Sequence, residues 1–168
     1  PCQCSITSDP LTLMPKKTPA RASKPSAHPV RDAADALYRA ANESCHQHQR
    51  LARVLGHGLD DFELEGVAEV VELSDRIVAL ATKRYEEVAS DGRGAESEEW
   101  WHTANALYMG CREYCRRHDQ SDAIVTRLKK HDAAQLSAIR MEYELEMSAR
   151  MALKQAINAY GKLRPDSE

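Results

Sequence analysis

The chain has 168 residues and a net charge of −3, with 42% hydrophobic, 29% charged and 5% aromatic residues. That length and apolar fraction describe one domain with a core to bury, and they exclude a wholly disordered chain. An Ala-rich, aromatic-poor make-up favours closely approaching helices over a sheet sandwich, which draws on β-branched and aromatic residues.

The charge is unevenly spread. Residues 1–27 hold Lys16, Lys17, Arg21 and Lys24 against Asp9, a balance of +3 that leaves −6 on the rest. An acidic body of this kind lacks the clustered positive face that nucleic acid requires. No apolar run approaches the ~20 residues of a membrane-spanning helix, and the start of the chain carries no apolar signal segment. Five cysteines without small-scaffold spacing fit a reducing compartment, so the expected location is the cytoplasm.

In chain order, residues 1–27 contain Pro1, Pro10, Pro15, Pro19 and Pro25, a density that removes backbone donors and predicts a disordered arm. The folded domain is expected over 28–162, followed by a short tail at 163–168. A first helix is expected from Pro29 to about Leu55, with Val30, Ala34, Leu37, Ala41, Ser44, His48, Leu51 and Leu55 on one stripe. Gly56 and Gly58 end it. Asp60 and Glu63 then suit a capping box, Leu59 and Leu64 a hydrophobic staple, so the second helix starts at Asp61. It runs to about Ala89 and turns Leu64, Val67, Val71, Ser74, Val78, Ala81 and Tyr85 inward, with Val70, Ile77 and Val88 widening the stripe. Asp91-Gly92-Arg93-Gly94 breaks it. Ser97 caps a third helix that carries Trp101, Ala104, Leu107, Tyr108, Cys111, Cys115 and His118 on one face and a basic end at Arg112, Arg116 and Arg117.

A turn at Asp119–Ser121 is expected to reverse the chain into a fourth helix over Ser121–Tyr160. That stretch has no Gly or Pro and would be roughly 60 Å long. It is apolar on two sides. Ala134, Ala138, Met141, Leu145, Ala152 and Ala156 mark one stripe, and Leu136, Ile139, Tyr143 and Met147 mark another. Three shorter helices cannot cover so wide an arc, so the second stripe is the expected interface with a second copy or another helical protein. The expected fold is therefore all-α: an up-down-up-down four-helix bundle with an extra-long C-terminal helix and a disordered N-terminal arm.

Two constellations suggest metal chemistry. Cys111, Cys115 and His118 fall on one helical face, and His48 or Cys45 from the first helix is a candidate fourth ligand for zinc, which favours a tetrahedron of nitrogen and sulfur. Against this, free cysteines pack readily as small hydrophobes, and His118 at a helix end would answer the dipole. Glu43/His46 and Glu99/His102 have the spacing of di-iron bundles, with Glu142 or Glu63 as further carboxylates. Their helical phase, however, turns Glu43, His46 and His102 toward solvent. His131, Gln135 and Glu142 lie near the fourth-helix seam, where polar residues fix register and partner. No phosphate loop, nucleophile elbow or Ser/His/Asp set is present. The expectation is a non-catalytic helical interaction or scaffold protein, self-associating through its last helix, with a zinc or di-iron metal-binding bundle as the alternative.

Overall fold

Helix formers without internal proline dominate each of the four amphipathic segments, and each becomes a helix of nearly the same length. The computed structural model describes residues 27–57, 61–92, 94, 96–127 and 133–164. Helix α1 spans Pro29–His57, α2 Asp61–Ala89, α3 Glu98–Arg127 and α4 Ala133–Gly161. Proline at the first position of α1 suits a turn whose amide needs no partner. The Ser97 hydroxyl accepts from the Trp100 amide at 3.3 Å and caps α3 as expected. Between α2 and α3, Gly92 (φ 100) and Gly94 (φ 63) take left-handed conformations that side chains resist. The arm expected over 1–27 lies, apart from Ala27, outside the described residues, as do Leu59 and Asp60 of the expected cap.

The four helices form a bundle. Sequential neighbours α1–α2 and α3–α4 make the closest pairs, α2–α3 and α1–α4 close the ring, and α1 meets α3 across the short diagonal. Helices α2 and α4 occupy opposite corners, with no close backbone approach among the described residues. The direction alternates. Tyr160, near the end of α4, donates to Asp35 at the start of α1 (3.0 Å), and Tyr85 of α2 donates to Asn105 of α3 (3.1 Å).

One expectation fails here. The chain does not reverse at Asp119–Ser121; α3 runs on to Arg127, and α4 has 29 residues rather than forty. None of Asp119, Gln120 and Ser121 breaks a helix outright, and Arg116 Nη1 donates one turn ahead to Gln120 Oε1 at 3.1 Å. Arg112, Arg116 and Arg117 are thus interior to α3, not its end. The last helix is not overlong, so extra length gives no argument for partnership. Beyond α4, Leu163 packs back on the core and the Arg164 guanidinium lies 4.9 Å from the Tyr38 ring centroid.

The inward line of α4 also differs from both expected stripes. Glu142, Glu146, Ala149, Leu153, Ile157 and Tyr160 are buried, at helical spacing, and the two apolar stripes flank that line roughly a quarter-turn to either side. In α3 the central line is Trp100, Ala104, Leu107, Cys111 and Tyr114, all buried, with Trp101, Tyr108 and Cys115 half-buried beside it.

Burial is concentrated in one half. Trp100 and Tyr160 meet edge-on with centroids 6.0 Å apart, Tyr38 and Tyr160 lie 5.6 Å apart, and Ala33, Ala34, Ala40 and Ala41 let α1 approach closely. Toward the opposite end, among the described side chains, α1 has no buried residue after Ser44, α3 none after Tyr114 and α4 none before Glu142. Replacing Leu37, which is fully buried, by Ala should cost about 2–5 kcal/mol of unfolding free energy. The same change at Leu55, 61% exposed in the thin half, should stay within about 0.5 kcal/mol. Urea denaturation of the two variants checks the contrast.

Candidate functional site

Where the aromatic half ends, the bundle interior turns polar. Asp75 of α2 stands at the centre, with 6% of its side chain exposed. A buried carboxylate is costly without donors, and both helices beside α2 supply them directly. Ser44 Oγ of α1 donates to Asp75 Oδ1 at 2.6 Å. The Tyr114 hydroxyl of α3 donates to the same oxygen at 3.1 Å. His48 Nε2 lies 2.9 Å from Asp75 Oδ2 and 2.7 Å from the Tyr114 oxygen, so with Tyr114 donating to Asp75 the ring N–H is shared between carboxylate and phenol.

Further charged groups close over this centre from α3 and α4. His118 Nε2 is 3.8 Å from Asp75 Oδ2, and its Nδ1 is 3.5 Å from Glu146 Oε1. Arg150 Nη2 pairs with Glu146 at 3.1 Å while its guanidinium carbon lies 5.6 Å from the Tyr114 ring centroid. One turn further, Arg117 Nη1 reaches Glu142 Oε1 at 3.2 Å. The cluster therefore ties Ser44 and His48, Asp75, Tyr114 and His118, and Glu146 and Arg150 into one network across all four helices.

The electrostatics follow from these partners. Burial pushes the Asp75 carboxyl up, but hydrogen bonds from His48 and Ser44 and the charge of both histidines outweigh it and hold the group below the usual carboxylate value. The Glu146 carboxylate raises His118 above the usual histidine value against the opposing effect of burial, and Asp75 adds to the rise. His118 in turn holds Glu146 down to about 2, burial opposing and Arg150 assisting. Burial and the Asp75 charge push the Tyr114 phenol far up, so it remains a neutral donor. Two acids stay ionised and two phenol and hydroxyl groups stay protonated, an arrangement that holds charge in place.

Three grooves reach this cluster from outside. One of about 230 Å³ between α1 and α4 is lined by Cys45, His48, Ala52, Met147 and Arg150. One of about 170 Å³ between α2 and α3 is lined by Asp75, Cys115 and His118. The third, about 200 Å³ between α3 and α4, is lined by His118, Ile139, Tyr143 and Glu146.

The structure brings His48 and His118 together, but around Asp75 rather than around the cysteines. Cys111 is fully buried in the apolar cluster, and its thiol is pushed well up by burial with Cys115 and Cys45 nearby. Burial also lifts Cys115, to about 11, and Cys45 is raised for the same reason. Among the described residues no three His, Cys, Asp or Glu side chains are placed to hold a metal ion. Glu43, His46 and His102 are exposed, as their helical phase implied, and so is Glu99; Glu43 accepts from Gln47 at 2.5 Å. Glu142 points inward as expected, onto Arg117; His131 and the Gln135 side chain lie outside the described residues. Asp75, Tyr114, Glu146 and Arg150 had no place in the sequence expectation. Their steps of three and four from Val71, Cys111 and Leu153 were the available signal.

Compared with protein-family models, with curated proteins and with solved structures, the chain finds no match. Function is therefore read from its own residues.

The network sets a pH profile. Asp75 and Glu146, both lowered, contribute stability above their unfolded values and lose it as pH falls through their folded ones. His118, raised, contributes below its unfolded value and loses that contribution as pH rises through its folded one. The thermal midpoint should thus peak near about pH 5–6, fall toward about pH 2, and decline from pH 6 to 8. His118→Gln should flatten the alkaline slope and also make the acid one shallower, because Glu146 loses the partner that holds it down. A wild-type midpoint unchanged between pH 6 and 8 would contradict the ion pair.

Proposed function

We propose that the protein is a non-catalytic helical interaction or scaffold protein that self-associates through the exposed side of α4. What carries the reading is the uncovered apolar flank of that helix. Tyr143 is 60% and Leu136 50% exposed, seven residues apart on one line, with Ile139 and Met147 of the same stripe half-buried. A contiguous apolar strip on a helix with two carboxylates on its inward line is surface the bundle has not used. The central polar cluster supports the same reading, since Asp75 draws its donors from α1 and α3 and the cluster joins the four helices. Buried polar sets of this kind fix register and orientation in helical assemblies.

The partner on this side is a second copy or another helical protein, because a strip at three- and four-residue spacing fits a helix. The free thiols Cys45, Cys111 and Cys115 favour a reducing compartment, hence the cytoplasm. No described helix is long and apolar enough to cross a membrane.

The pair of changes Leu136→Glu and Tyr143→Glu tests the reading. Both side chains are at least half exposed, so the fold should survive and circular dichroism should be unchanged. The mass from light scattering should fall by at least half. An unchanged mass in a folded variant would sink this use of α4.

A further inference from the structure

The second half of α1 carries no acid. From Cys45 to His57 it holds Arg50 and Arg53, both exposed, and three histidines. Where this stretch passes α4, the bundle leaves the groove of about 230 Å³ that reaches His48 from outside. Cys45, Ala52, Met147 and Met151 give the groove apolar walls, and Arg150 and Lys154 border it from α4. Among the described residues no carboxylate lines it. Of the exposed acids on these two helices, Glu43 accepts from Gln47 and Glu144 from Arg140, and neither lines the groove.

The two cations differ in what they already hold. Lys154 is exposed and in no ion pair with a described residue. Arg150 Nη2 donates to Glu146, but that carboxylate is also met by His118, so two cations share one acid. Arg150 Nε, enclosed by protein, has no acceptor among the described residues. A buried donor without a partner is costly, and a small turn of the guanidinium toward an anion in the groove supplies one. Both charges are felt inside the groove: burial pushes the Cys45 thiol up, and Arg150 and Lys154 each pull against it.

The charge sits at one end. Because α1 and α4 run antiparallel, Lys154 marks one end of the groove and Met147 with Ala52 the other, seven residues or roughly 10 Å along the helix. The space is smaller than the ~300–1,000 Å³ of sites for drug-sized ligands, so it suits a short chain. We propose that the groove between α1 and α4 binds a medium-chain carboxylate, its head between Arg150 and Lys154 and its tail along Met151 and Met147 to Ala52. A planar carboxylate matches the fork of an arginine, and methionine side chains adapt to a chain without fixed shape. The site does not depend on self-association, although Met147 belongs to the strip on which that reading rests.

Octanoate is the probe, followed by titration calorimetry and by the methyl resonances of the methionines. Its dissociation constant should lie below about 1 mM, with Met147 and Met151 shifting and the exposed Met109 and Met141, outside the groove, unmoved. Octanol, which lacks the charge, and acetate, which lacks the chain, should each bind at least about threefold more weakly. Lys154→Gln should weaken octanoate roughly threefold and leave octanol unchanged, whereas Ala52→Phe, which fills the apolar end, should weaken both. Both positions are exposed, so the fold should hold, and circular dichroism checks it.

Octanol binding as well as octanoate, or Lys154→Gln binding octanoate as the wild type does, overturns the carboxylate assignment. Shifts spread over all the methionines overturn the groove as the site. The titration is repeated on Leu136→Glu/Tyr143→Glu, in which the α4 strip is silenced. Binding confined to that variant means that a second copy covers the groove, and it overturns the site in the intact protein. A monomeric wild type that binds octanoate sinks the α4 reading and keeps this site, and an oligomer that binds none does the reverse.

Discussion

Asp75 is the constraint on which the bundle depends. A carboxylate removed from water requires donors with fixed positions, and here they come from two turns of α1 and from α3, with α4 closing the set through Glu146 and His118. Apolar layers tolerate a helix sliding by a residue far better than this set of distances does. The polar centre thus fixes how the α1–α2 pair sits on the α3–α4 pair. It contributes to uniqueness more surely than to stability, because ion pairs of this kind compare poorly with apolar packing.

Around that centre the two halves of the bundle differ in what holds them. On one side Trp100, Tyr160, Tyr85 and Tyr114 fill the space among alanines and leucines. On the other, the inward positions of α4 are carboxylates and the larger apolar residues lie outside. Arg117 compensates Glu142, and Arg150 compensates Glu146 while covering Tyr114. The exposed line on α4 follows from this distribution: apolar residues occur where the core does not need them.

Much of the fold was legible. Pro29 and the Gly92–Gly94 break mark the start of α1 and the end of α2 because these residues act on the backbone itself, and Ser97 announces α3 through its hydroxyl. The α3–α4 boundary was misplaced because nothing between Gly110 and Gly161 forbids a helix. The usable cue was weaker: Arg127, Lys129 and Lys130 suit a C-terminal turn, and Asp132 suits a cap before Ala133. The inward line of α4 was missed for a related reason. Glu146 reads as surface on a hydrophobicity scale, and only its partner His118, one helix away, makes it interior. The candidate site suffered the same fate. Cysteine spacing along one helix drew attention to Cys111 and Cys115, whereas the groups that converge come one or two from each helix, and such convergence has no linear signature.

The uneven burial along the bundle has a consequence for its opening. Backbone amides near Leu51, Leu64, Ile124 and Ile139 sit over half-buried side chains, while those near Leu37, Leu107 and Leu153 sit over fully enclosed ones. Local excursions should therefore begin at the end where α1 and α3 finish and α2 and α4 start, and stop at the Asp75 cluster, as a clothes-peg opens at its handles and stays shut at the spring. Deuterium would enter the two ends of each helix at different speeds, and the slow ends would belong to the start of α1 and α3 and the finish of α2 and α4.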